Sequence, residues 1–127
     1  MRIQIISLLA FITIFLSSFS NAEAKRIEID KHILSTDGCE WHVTGWIDID
    51  VVFGWPPIRI NSYDITMDGP CGTYRFVGGA LKDQSTGGVN YYGGVLYDAN
   101  GNPIPIGSFP QLNEIIIYIE DFVIPYA

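Results

Sequence analysis

Residues 39–53 read CEWHVTGWIDIDVVF. The odd positions, Cys39, Trp41, Val43, Gly45, Ile47, Ile49, Val51 and Phe53, are apolar or small, whereas the even ones, Glu40, His42, Thr44, Trp46, Asp48, Asp50 and Val52, are mostly polar. Successive side chains of a strand leave on opposite faces, so a period of two over this length predicts one long half-buried β-strand with its odd side inward.

The neighbouring segments extend the pattern. Ile27, Ile29 and Ile33 alternate with Arg26, Glu28, Asp30 and His32 and predict a first strand, joined to the long one by a turn at Ser35, Thr36, Asp37 and Gly38. Gly54, Trp55, Pro56 and Pro57 end the long strand, because proline has no ladder donor. From Ile58 to Met67 the apolar parity switches from even (Ile58, Ile60) to odd (Tyr63, Ile65, Met67), which predicts a bulge or bend near Asn61 and Ser62. Asp68, Gly69 and Pro70 then turn the chain into a strand from Cys71 to Val77. Gly78 to Gly88 has no clear period and reads as a loop or weak hairpin, and Val89 to Tyr97 is extended. Asp98 to Asn102 form a tight turn in which Asn100 and Gly101 can take positive φ. The isoleucine-rich run from Glu114 to Ile124 reads as a last strand buried on both faces or covered by a neighbour. No convincing helical period is expected in the chain after its leader. The sum is an all-β fold, a small single-domain β-sandwich of immunoglobulin-like or transthyretin-like type, with a small β-barrel as second choice.

Gly94, Leu96, Asp98, Gly101, Pro103 and Ile104 resemble the hairpin that opens the carboxypeptidase regulatory-like and transthyretin-like β-sandwich domains of exported proteins. The resemblance covers eleven residues and implies a sandwich. In that family the hairpin starts the domain, whereas here it lies near the carboxyl end of the chain.

The chain has 127 residues and a formal net charge of −7, with 14 acids against 7 bases. That excludes a large multidomain enzyme and a basic nucleic-acid binder. Much of the mean hydropathy of +0.23 comes from the first two dozen residues. Arg2 precedes an apolar run from Ile3 to Leu16, and small residues follow at Ser20, Ala22 and Ala24. This predicts a signal peptide over residues 1–24, cleaved after Ala22 or Ala24, leaving a single β domain over 25–127. The apolar run spans about 21 Å as a helix, short of the roughly 30 Å hydrocarbon layer, so no stable membrane span is expected after cleavage. An exported chain, secreted or periplasmic, meets oxidising conditions, so Cys39 and Cys71 are expected to form a disulfide.

Candidate chemistry is sparse. A metal site from Cys39, His42, His32 and Cys71 meets the objection that residues three apart on a strand face opposite ways. Asp98, Asn100 and Asn102 alternate as calcium ligands do, but Pro103 and Phe109 stand where the loop needs glycine and glutamate. Asp48 and Asp50 share a strand face about 6.6 Å apart, a spacing that also fits a solvated surface. No nucleophile elbow, phosphate loop, His-Glu-x-x-His or Cys-x-x-Cys is present. No catalytic residue, cofactor or metal is therefore assigned.

The set that stands out is His42, Thr44, Trp46, Asp48 and Asp50, with Glu40, on the outward face of one strand. An indole among hydrogen-bonding side chains can anchor a protein partner or stack on a sugar, unless a loop or second layer covers it. The expectation is a non-enzymatic module acting by surface recognition of an unknown protein or glycan, with protein interaction or inhibition first. The alternatives are a carbohydrate-binding module and a small exported hydrolase. An acidic surface favours the first against a basic partner. A strip combining Trp46 with Trp55 or a tyrosine favours the second, and a pocket joining His42 to a carboxylate favours the third.

Overall fold

The computed structural model describes residues 23–52 and 58–126. The leader up to Ala22 and the strand terminus at Gly54, Trp55, Pro56 and Pro57 lie outside the described residues. Six strands, β1 (Glu23–Leu34), β2 (Glu40–Val51), β3 (Ile58–Gly69), β4 (Gly72–Lys82), β5 (Val89–Tyr97) and β6 (Pro103–Ile104), form one antiparallel sheet in chain order. Each strand pairs with its sequence neighbour, so the sheet is a plain meander. A 3-10 turn at Ile106–Ser108 leads to helix α1 (Gln111–Tyr118), which continues through a π-helical turn, Ile119–Val123, and a 3-10 turn, Ile124–Tyr126.

The predicted parity of β2 holds along most of its length. Trp41, Val43, Ile47 and Ile49 are buried, and the same face gains Ile27, Ile29 and Ile33 from β1, Tyr63, Ile65 and Met67 from β3, Phe76 from β4 and Leu96 from β5. Val51, expected inside, is exposed instead, because it is the last rung of the strand, between Glu23 and Ile58. The parity switch in β3 is a bulge at the expected place: Asp48 pairs with Ser62 and Ile49 with Ile60, leaving Asn61 as the extra residue.

Beyond Val51, three segments differ from expectation. Glu114 to Ile124 is helical, not a strand, and the expectation of no helix fails with it. Leu112, Ile115, Ile116 and Ile119 are all buried, and their spacing of i, i+3, i+4 and i+7 is one helical stripe. Local β propensity yields here to packing, since the apolar sheet face needs a cover and this stripe supplies it. Second, Gly78 to Lys82 belong to β4, not to a loop. The period is hidden by an irregularity after Val77, where Gly78 takes a φ of +130°. Third, in the β5–β6 turn only Gly101 has positive φ; Asn100 does not.

The core therefore lies between one sheet face and the carboxyl-terminal helical layer. Phe109 anchors the junction, stacked on Tyr74 with ring centroids 4.1 Å apart and edge-on to Trp41 at 5.0 Å. The Trp41 indole N–H donates to Ser35 Oγ at 3.2 Å, which satisfies the one polar atom this ring brings inside. Cys39 and Cys71 are bonded, with their α-carbons 6.1 Å apart, tying the β1–β2 turn to the β3–β4 turn. The molecule is a small all-β domain whose covering layer is helical; neither a second sheet nor a closed barrel occurs among the described residues.

Candidate functional site

The opposite face of the sheet has no covering layer among the described residues. It receives the even residues of β2, and the cross-strand register decides what surrounds each. Trp46 lies between Glu28 of β1 and Asp64 of β3; Asp48 between Arg26 and Ser62; Thr44 between Asp30 and Thr66; His42 between His32 and Asp68; Asp50 between Ala24 and Arg59. The five residues singled out from the sequence thus share one face.

Trp46 is 37% exposed, against 1% for Trp41 on the other side of the same strand. Arg26 holds it from the β1 side, its guanidinium carbon 4.8 Å from the ring centroid. The same guanidinium grips Asp48 with both arms, Nε to Oδ1 at 2.8 Å and Nη2 to Oδ2 at 3.2 Å. This fork holds the Asp48 carboxyl below its ordinary range, the hydrogen bond from Arg26 outweighing the small desolvation that opposes it. A second fork joins Arg75 of β4 to Asp64 of β3, at 3.0 and 2.8 Å. Indole, guanidinium and carboxylate are thereby held in register on a rigid sheet.

At the disulfide end of the sheet, His32 and His42 face each other across β1 and β2, their rings parallel within 7° and 4.4 Å apart. His42 Nε2 meets Asp30 Oδ1 at 2.5 Å, and His32 Nδ1 lies 3.7 Å from Glu40 Oε1. A shallow hollow here is lined by His32, Glu40, His42, Asp68, Gly69 and Pro70. It joins His42 to the Glu40 and Asp68 carboxylates, the arrangement that favours the hydrolase alternative; its lining includes no serine, threonine or cysteine. With Cys39 and Cys71 bonded to each other, the four-residue metal arrangement is removed. No cluster of three or more metal-ligating side chains occurs among the described residues.

Trp46 has no tyrosine among its cross-strand neighbours, and Trp55 lies outside the described residues. Asp98 is a turn-former: its Oδ1 accepts the backbone N–H of Asn100 and of Asn102, each at 2.9 Å. The residues that sequence reasoning did not place are Arg26, Asp64 and Arg75. Their positions follow from strand register, and only the parity of β1 pointed to Arg26 as outward. Comparison with protein-family models, with curated proteins and with solved structures finds no match to this chain.

Proposed function

We propose that the protein is a non-enzymatic recognition module, exported to the cell exterior or the periplasm, and that it binds a basic protein partner through the open face of its sheet. One observation carries the reading: among the described residues the sheet is covered on one face only, and the open face bears a partly exposed indole within a field of excess carboxylate. Glu28, Asp30, Glu40, Asp48, Asp50, Asp64 and Asp68 share that face with Arg26, Arg59 and Arg75. An aromatic anchor surrounded by fixed charge is the composition of an interface hot spot, and the acidic excess steers a basic partner toward it. The disulfide supports an oxidising compartment.

The test compares wild type with Trp46→Ala as immobilised baits for proteins from the same exported compartment. Being partly exposed, Trp46 should cost about 1 kcal/mol of stability or less when truncated. The expected result is a basic protein retained by wild type, released by moderate salt and lost by the variant, whose melting temperature falls by no more than about 4 to 8 °C. Affinity for that protein should fall by about 2 kcal/mol, the scale of a hot-spot residue. Equal retention by both baits refutes the proposal.

A further inference from the structure

We infer a second site on the same face, a hollow at the β3–β4–β5 end that takes a neutral sugar ring. It does not depend on the protein partner proposed above. Thr66, Arg75 and Tyr97 form a single rung across three strands and make its floor, and the β5–β6 turn from Asp98 to Gly101 makes its wall. The hollow is open to solvent on one side and has a volume of about 430 Å³, within the range of small-ligand sites.

The chemistry of the lining selects the ligand class. Arg75 is committed to Asp64 through Nε and Nη2, which leaves the N–H groups of Nη1 to donate. Asp98 uses Oδ1 to close its own turn, which leaves Oδ2 to accept. The Thr66 hydroxyl can do either, and Tyr97 adds an aromatic ring. The lining holds one guanidinium, already paired with Asp64, and one carboxylate, so donors and acceptors stand side by side, which suits a ligand without net charge. It must offer donors and acceptors around its edge and C–H groups on its face. A pyranose has that pattern. Arg75 is fixed by its ion pair and Asp98 by its turn, so little ordering cost attaches to binding.

The experiment is an amide chemical-shift titration of the ¹⁵N-labelled protein with glucose, galactose, mannose and N-acetylglucosamine, alongside sulfate and lysine amide as charged probes. At least one sugar should shift the Thr66, Arg75, Tyr97 and Ala99 amides saturably. Two variants should weaken binding about tenfold or more, Tyr97→Ala by removing the ring and Ala99→Trp by filling the hollow from an exposed turn position. Ala99→Trp serves where Tyr97→Ala disturbs the strand, its unchanged spectrum elsewhere showing an intact fold. Trp46→Ala should bind the sugar as wild type does, which separates this site from the protein surface. The inference is overturned if no sugar moves these amides, if only sulfate or lysine amide does, or if Ala99→Trp binds sugar undiminished.

Discussion

Replacing Glu120 by Gln should stabilise the protein in mild alkali and leave its stability in mild acid unchanged. Glu120 sits on the π-helical turn, half-buried, with Oε2 accepting the backbone N–H of Lys82 at 2.8 Å. Burial pushes its carboxyl from an ordinary 4.5 up to about 7, assisted by Asp121 and opposed by the Lys82 N–H and ammonium. Lys82 itself pairs with Asp121 at 3.1 Å, and the Tyr63 and Tyr92 phenols feel the Glu120 charge. The folded state holds this proton more tightly than the unfolded chain. Its stabilising contribution is therefore complete below about pH 4.5 and is lost as pH rises through about 7. At about 1.4 kcal/mol per pKa unit the difference is about 3.5 kcal/mol, and solvent screening of a half-exposed group reduces it to about 1 to 2 kcal/mol. Glutamine keeps the carbonyl that accepts the Lys82 N–H and never carries charge. Urea unfolding of both proteins at about pH 4 and about pH 8.5 should show equal midpoints in acid, with the variant ahead by about 1 to 2 kcal/mol in alkali. A difference that is the same at both pH values refutes the argument.

Other substitutions probe the packing. Tyr63→Phe removes a fully buried hydroxyl that has no hydrogen-bond partner among the described residues, and chemical denaturation should show stability unchanged or raised by about 1 kcal/mol. Gly78→Ala places a β-carbon 2.4 Å from Gly93 O at a φ of +130°, and should cost more than about 2 kcal/mol in the same assay. The double change Cys39→Ser, Cys71→Ser opens a loop with a sequence separation of 32, and the melting curve should report a loss of about 3 to 4 kcal/mol. Ile115→Ala, in the helical cover, should cost about 2 to 5 kcal/mol and reduce far-ultraviolet helical signal if the segment frays.

The strands were legible where one face is wet, because solvent imposes alternation. β1, most of β2 and the irregularity at Asn61 could be read for that reason, Val51 at the strand end excepted, and so could the outward set from His42 to Asp50. The carboxyl-terminal segment was misread because isoleucine favours strands locally, while the stripe from Leu112 to Ile119 shows its meaning only when an apolar sheet face stands ready to receive it. Arg26, Asp64 and Arg75 belong to three different strands, and the register that brings a guanidinium over Trp46 depends on turn lengths and a bulge. Sequence spacing holds no record of such pairs.

The meander has a consequence for how the chain matures. Every strand pairs with the one made just before it, so contacts are local and pairing can proceed hairpin by hairpin as the polypeptide emerges. The layer that shields the apolar face comes after all six strands in chain order. Until residues 111–124 arrive, Val43, Ile47, Ile65 and Phe76 lie on a sheet with nothing over it. A nascent or truncated chain ending before Gln111 thus displays a greasy platform, an invitation to self-association or to a holding chaperone. Completion of the last helix is what turns the half-made domain from adhesive to inert.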